Sequence, residues 1–270
     1  RLGAFGRPRL EAGTVEWRAA GEWRAASIAD IAGALPGAEQ ARARLGRELE
    51  QTAALMRWNL QHLPRLDRRH LAFCALDAAI DEGHPYHPCF KSRTGFDEAD
   101  HRAYGPEAGN SFQLVWLAVA RDLLHLALPD SEDLFWQREI GVQGWHELRR
   151  RSAALGIEGR DFGLMPIHPW QWRDLSEGRL KSLIQSGRVY YLGTAGDPYR
   201  ASQSVRSLTN ARDPRRSGVK LAMNIVNTST RRTIEPHSVG TAPVLSHWLG
   251  EVIDSDPLFK GDCRLDILRE

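Results

Sequence analysis

Val219-Lys220-Leu221-Ala222-Met223-Asn224-Ile225-Val226-Asn227-Thr228 is the stretch whose reading decides the fold class. Val219, Leu221, Met223 and Ile225 alternate with Lys220, Ala222, Asn224 and Val226, the two-residue period of a half-buried strand. Upstream, Ala201-Ser202-Gln203-Ser204-Val205-Arg206-Ser207-Leu208-Thr209 is a second polar–apolar stretch, read as extended. The segment between them, Asn210 to Gly218, is basic and turn-forming. Further out, Gly163-Leu164-Met165-Pro166-Ile167 and Val189-Tyr190-Tyr191-Leu192 read as short strands, with an amphipathic helix near Leu175 to Gln185 between them.

Before Gly156 the period is helical. Leu45, Leu49, Met56, Leu60 and Leu63 form one apolar stripe over Ala38 to Leu63, and Pro64 ends it. A second helix is expected from Asp67, an N-cap, to Glu82, with Leu71, Cys74, Ala75, Ala78 and Ala79 inward and Gly83 as its left-handed cap. The apolar run Phe112 to Leu128, opened by Asn110 or Ser111 and closed by Pro129, is read as a third. Ser131, Glu132 and Asp133 open a fourth that reaches Ala154, with Gly141 and Gly144 unfavourable inside it. From Ser238 to Ile253 the chain turns helical again. The expected class is α+β: a helical N-terminal subdomain, then a mixed subdomain with a small antiparallel sheet and flanking helices.

Composition bounds the function. The 270 residues are 42% hydrophobic and 26% charged, enough to bury a core. A net charge of +2, from 36 basic against 34 acidic residues, carries no clustered surplus beyond short runs such as Arg149-Arg150-Arg151, which argues against nucleic acid. Cys74, Cys89 and Cys263 are odd in number and widely spaced, as in a reducing compartment. No apolar run approaches the ~20 residues of a membrane span, and no signal-peptide core opens the chain. A cytoplasmic protein that is not in the membrane is the expectation.

Three segments can carry chemistry. His84-Pro85-Tyr86-His87-Pro88-Cys89-Phe90-Lys91-Ser92-Arg93-Thr94-Gly95-Phe96 holds two His-Pro pairs that favour extended backbone. Lys91 and Arg93, two apart, fall on one side of an extended chain, so two cations and two imidazoles would suit a phosphate or carboxylate. The competing reading is a polar loop whose histidines bond backbone groups. A zinc site from His84, His87 and Cys89 lacks a second ligand pair with zinc-finger spacing, and no metal ligands are assigned. In Met165-Pro166-Ile167-His168-Pro169-Trp170-Gln171-Trp172, His168 either faces a cleft or sits satisfied in an aromatic core corner. In the third segment, Ser202, Ser204 and Arg206 would share one face of a strand. The next strand adds Lys220, Asn224 and Asn227, with Arg231 and Arg232 beyond it. That is an anion surface or a solvated sheet face. Glycine-rich phosphate loops are absent, so any bound nucleotide must be held by side chains.

Taken in this order, the three segments resemble the siderophore synthetases that work independently of non-ribosomal peptide synthetases, the aerobactin synthetase (IucA/IucC) family. The carriers are the His-Pro-x-His-Pro-x-x-Lys-x-Arg-x-Gly-Phe pattern from His84 to Phe96 and the His-Pro-Trp-Gln of His168 to Gln171. The third carrier is Ser204-Val205-Arg206-Ser207 with the strands after it. The resemblance implies a hand-like fold, with a helical thumb over residues 1–82 and ATP-binding fingers over 83–270. Family members run to about twice this length. The palm that follows in them, with further ATP contacts and the acidic Mg²⁺ ligands, is not found before Glu270, so the chain is expected to be an N-terminal portion.

By the same resemblance, ATP and Mg²⁺ are the cofactors. Ser204, Arg206 and Ser207 contact the triphosphate, where family members usually carry threonine at the position of Ser207. His84, His87, Lys91, Arg93, Lys220 and Asn224 complete the ATP contacts, and Arg232, Lys220 and His168 are the catalytic candidates. A carboxylate, citrate or a dicarboxylic acid derivative, is adenylated and then condensed with a polyamine or hydroxylamine to an amide. A homodimer is implied for the full-length protein. The alternative from another class is a non-catalytic nucleotide- or anion-binding module.

Overall fold

The computed structural model describes residues 13–80, 87–128, 131–157, 161–227 and 230–262. In chain order its elements are β1 (Glu16–Ala19), β2 (Glu22–Ala25), α1 (Ile28–Ala34), α2 (Glu39–His62), α3 (Phe73–Ala78) and β3 (Arg93–Thr94). Next come α4 (Glu98–Tyr104), β4 (Val115–Ala120), α5 (Glu132–Ala154), β5 (Phe162–Ile167), α6 (Pro169–Ser176), α7 (Lys181–Gln185) and β6 (Val189–Thr194). The last are β7 (Tyr199–Ala201), β8 (Ser207–Asn210), β9 (Val219–Lys220), β10 (Met223–Asn227), β11 (Thr230–Arg232), α8 (Pro236–Ser255) and α9 (Pro257–Asp262). The class is α+β with small antiparallel sheets, as the periodicities predict.

Two units divide the chain. Unit 1 comprises Arg1–Pro64, Asp81–Thr94 and Val226–Thr230; unit 2 comprises Arg65–Ile80, Gly95–Ile225 and Arg231–Glu270. Both are discontinuous in sequence, whereas the sequence reading draws a single boundary after residue 82.

Unit 1 opens with a hairpin the sequence reading did not anticipate. Glu16-Trp17-Arg18-Ala19 and Glu22-Trp23-Arg24-Ala25 pair antiparallel, with Trp17 opposite Arg24. Ala20 and Gly21 both have positive φ, as a two-residue turn matched to the strand twist requires. Ser27 and Asp30 then form a capping box that starts α1. Helix α2 forms where expected, but its buried stripe differs. Glu48, Thr52, Leu55 and Asn59 point inward, while Met56 and Leu60 are 37% and 66% exposed. The inward face is polar because it meets a polar segment: the Gln51 amide accepts from Arg93 N–H (2.7 Å) and donates to Arg93 C=O (3.1 Å). In this way Gln51 satisfies backbone groups on β3 as a neighbouring strand would. On its other side β3 pairs with the end of β10, Val226 opposite Thr94 and Asn227 opposite Arg93.

Unit 2 is built around the sheet β5-β4-β6. The run Phe112 to Leu128, expected to be helical, instead supplies β4 at its centre. Residues Leu114 to Val119 are all buried because helices cover both faces. Trp116 and Ala118 pack on Phe135, Trp136, Ile140 and Leu148 of α5. Val115, Leu117 and Val119 pack with Ile167 and Val189, joined by Leu175, Leu183 and Ile184 of α6 and α7. A strand buried on both faces reads as a continuous apolar run and loses its period, which is why periodicity alone misassigns it.

Helix α5 spans the expected residues but kinks at Gly141 (φ 79°, ψ 153°). The helix expected from Asp67 is shorter: Asp67 caps a 3₁₀ turn over Arg68–His70, and the α-helical part is Phe73–Ala78. Its proposed end at Glu82 and Gly83 lies outside the described residues. The expected long strands from Ala201 and from Val219 are broken. The smaller sheet β7-β8-β9 is a hairpin plus a short edge strand, and β10 follows separately.

Candidate functional site

Strands β7 and β8 are joined by residues 202–206, a tight turn rather than the extended stretch expected. Ser202 N–H donates to Ser207 C=O and Val205 N–H to Ser202 C=O, both at 2.8 Å. Val205 adopts φ 58°, a left-handed conformation that a β-branched residue rarely takes. Complete burial holds it there: Val205 is 0% exposed, packed with Phe96, Trp170, Met223 and Ile225. Strain of this kind persists only where the surroundings over-determine it. Ser202 Oγ and Ser204 Oγ share a hydrogen bond (2.9 Å), and Ser204 Oγ accepts from Ser207 N–H (3.1 Å). The hydroxyls of Ser202 and Ser204 thus meet within the turn, not along one strand face.

Arg206 follows the strained residue. Its guanidinium donates to the carbonyls of Arg232 (3.1 Å) and Thr233 (2.8 Å), and no carboxylate pairs with it among the described residues. Burial, and then the charge of Arg206, hold the Arg232 guanidinium below its ordinary pKa. Like charges this coupled favour an anion between or beside them. Ser207 sits directly across from Lys220 in the β8–β9 pair, and Lys220 is exposed. The structure therefore brings Ser204, Arg206, Ser207, Lys220 and Arg232 to one end of the small sheet. Asn224 is engaged elsewhere: its N–H donates to Gln171 Oε1 (2.6 Å) and its Nδ2 to Asp174 Oδ2 (2.8 Å), both on α6.

His168 turns out to be a structural corner of this unit. It is the N-cap of α6, with Nδ1 accepting from Trp170 N–H at 3.0 Å and Pro169 at the first helical position. The ring is fully buried against Tyr104 (4.9 Å) and Phe112 (4.7 Å), both edge-on, and Nε2 has no hydrogen-bond partner among the described residues. Burial pushes its pKa down to about 3, so the imidazole is neutral at physiological pH. The neighbouring Trp170 lies beneath Val205 and donates through Nε1 to Asp100 (3.1 Å), which also accepts from Arg173 (2.7 Å). In this arrangement the His-Pro-Trp-Gln segment is the floor under the turn, with the geometry of a positioning group.

The remaining candidates lie in unit 1. Lys91 and Arg93 are each 2% exposed and so belong to its interior. Lys91 is in a turn closed by Ser92 N–H donating to Cys89 C=O (3.0 Å); among the described residues of the segment, Arg93 and Thr94 form its strand. Buried Cys89 has its thiol pushed up to about 11 by burial and by the charge and hydrogen bond of Glu48. His87 is half-buried, and His84 lies outside the described residues. Among the described residues no group of three or more His, Cys, Asp or Glu is placed to hold a metal ion, so Mg²⁺ is given no ligand here.

Residues 72–270 match the sequence profile of the IucA / IucC family. The chain belongs to that family. A citryl-spermidine/3,4-dihydroxybenzoyl-citryl-spermidine:spermidine ligase from Bacillus anthracis is 34% identical over 197 residues, 72% of this chain and 32% of that protein. An aerobactin synthase from Escherichia coli is 34% identical over 178 residues, 64% of this chain and 30% of that protein. The matched stretch thus spans about a third of the length of these curated relatives. Among solved structures, the petrobactin biosynthesis protein AsbB from Bacillus anthracis superposes with a TM-score of 0.81 at 28% identity, over 96% of this chain and 43% of that one. Aerobactin synthetase IucC from Klebsiella pneumoniae shares the fold, with a TM-score of 0.75 at 24% identity over 97% of this chain and 47% of that one.

For several residues that shape the site, nothing in the sequence signals the role the fold assigns. Gln203 donates its N–H to Asp77 Oδ2 (2.8 Å) and its side-chain amide to Asp77 C=O (2.9 Å), across 126 positions of chain. Gln171, Asp100 and Val205 likewise take their roles from long-range packing.

Proposed function

We propose that this chain is the nucleotide-binding, N-terminal part of an ATP-dependent siderophore synthetase of the IucA / IucC family. The observation that carries the reading is Arg206, whose guanidinium is held by the carbonyls of Arg232 and Thr233 at the end of a rigid turn, beside Ser204, Ser207 and Lys220. Preorganised cations of this kind stabilise charge that spreads over phosphate oxygens during displacement at phosphorus.

In the proposed reaction a carboxylate oxygen of citrate or a dicarboxylic acid derivative attacks the α-phosphorus of ATP. The bond from that phosphorus to the bridging oxygen breaks, and pyrophosphate leaves with the electron pair. An amine or hydroxylamine nitrogen then attacks the acyl carbon, AMP leaves, and the nitrogen loses its proton to give the amide. Arg206, Ser204 and Ser207 hold the triphosphate. Lys220 and Arg232 hold phosphate or the carboxylate, and His168 keeps the floor of the turn in register. Lys91 and Arg93 are interior residues of unit 1 and are assigned no phosphate contact, and Asn224 is proposed as a group held by α6 at the rim. The relatives named as citryl-spermidine ligase and aerobactin synthase support citrate-like and amine substrates. The cytoplasm is the proposed location, since ATP is available there, and a homodimer is proposed for the full-length protein.

A second reading is a nucleotide- or anion-binding module without chemistry. Pyrophosphate release that depends on both ATP and a carboxylate separates the two. Release from protein extended to the length of its relatives, lost on Lys220→Ala, supports the synthetase. ATP binding with no release for any citrate-like carboxylate supports the module.

A further inference from the structure

We propose that Asp77 is the positioning residue for the phosphate-binding turn, acting through Gln203; the inference rests on the nucleotide reading of that turn. Asp77 lies near the end of α3 and meets Gln203 twice, at 2.8 Å through its carboxylate and at 2.9 Å through its backbone carbonyl. Gln203 is the residue between Ser202 and Ser204, whose hydroxyls bond each other (2.9 Å), and it lies two positions before the strained Val205.

The turn is therefore fixed from two sides. Val205 is anchored from below by Trp170, Met223 and Ile225, and Arg206 C=O accepts from Leu221 N–H (2.9 Å). The Gln203 end has Asp77 as its link to a helix. Without that link the turn would lose an anchor on the Gln203 side, and the left-handed, β-branched Val205 would relax toward the extended region. Relaxation there redirects Ser204 and Arg206 together, because they flank Val205.

The charge of Asp77 gives the inference its sharpest test. A carboxylate beside a site for a polyanion opposes binding, so what Asp77 contributes to the turn is the acceptor it provides and not its charge. Asp77→Asn keeps an oxygen acceptor and the backbone carbonyl while removing the charge. Asp77→Ala removes the acceptor.

Two measurements on the 270-residue chain test this. The first is hydrogen exchange without nucleotide. Asp77→Ala is expected to raise exchange across residues 202–207 at least tenfold, with Asp77→Asn matching the wild type. Unchanged protection in Asp77→Ala would overturn the inference whatever the turn binds. The second is MgATP titration. Asp77→Ala is expected to weaken binding about tenfold, the effect of removing one hydrogen bond that holds the turn, and Asp77→Asn to bind at least as tightly as the wild type. Weakening of Asp77→Asn to the level of Asp77→Ala would also overturn it. A wild type that protects the turn but does not bind MgATP counts against the nucleotide reading and leaves the exchange result to decide the role of Asp77. If Asp77→Ala does not fold, Asp77→Leu, which keeps the side-chain bulk without an acceptor, carries the exchange test, with faster exchange of the residue 203 amide expected and no change contradicting the inference.

Discussion

Arg206 and His168 show how little a residue's type says about its task. Both belong to the motifs that mark the family, yet one presents a cation and the other is sealed beneath the site. For His168 the folded pKa of about 3 lies below the ordinary 6.5, so between those values the unfolded chain binds the proton and the folded chain does not. Stability from this group therefore falls as pH drops from 6.5 toward 3, by about 1.4 kcal/mol per pH unit, and is constant above 6.5. His168→Asn keeps an N-cap and removes the titration. Urea unfolding at pH 6.5 and 4.5 is expected to show the wild type losing more stability than the variant; parallel losses would contradict the buried, neutral ring. Cys89 offers a second check. With its thiol pushed up to about 11, it is expected to resist iodoacetamide at pH 8 in the folded protein and react in guanidinium. Rapid labelling of folded protein would place it outside the core. The motif residues were legible in the sequence as a set; which of them face a ligand was not, because that depends on the packing of Tyr104, Phe112 and Trp170 around them.

At the scale of elements, the helices with a clear stripe or a clear cap were legible: α2, α5 and α8 stand within a few residues of their expected positions. Two kinds of segment were not. Strand β4 lacks a period because both its faces are buried. The turn at residues 202–206 alternates in sequence as a strand does, but Val205 in the left-handed region reverses the chain there. The polar stripe of α2 was also hidden: Glu48, Thr52 and Asn59 turn inward, with Thr52 satisfied inside the helix by donating to Glu48 C=O (2.9 Å). Gln51 is the element-scale test. Gln51→Ala leaves the Arg93 N–H and C=O without the amide and is expected to cost about 1–3 kcal/mol, read as a lower urea midpoint. A midpoint equal to wild type would mean that other groups hold β3 in place. In α5, Gly141 has open space around its Cα but a φ and ψ that only glycine adopts readily. Gly141→Ala is therefore expected to destabilise by about 1–3 kcal/mol through backbone strain and not crowding. An unchanged melting temperature would show that the kink is not required.

For the whole molecule, the family was legible from three short segments and the fold class from the change of period after Gly156. The two-unit division was not, because each unit is assembled from segments far apart in sequence. Relatives more than twice as long place the chemistry of a complete synthetase beyond what this chain can be asked to show. What this chain can be asked is whether it holds the nucleotide, and whether the Arg206 guanidinium is what holds it. Calorimetric titration of the 270-residue chain with MgATP, beside Arg206→Ala with its circular dichroism unchanged, answers both. The expected result is saturable binding by the wild type that the variant weakens at least tenfold, because the substitution removes a charge-assisted hydrogen bond to phosphate. Equal affinity in the two proteins, or no binding by the wild type, would contradict the placement of the triphosphate at this turn.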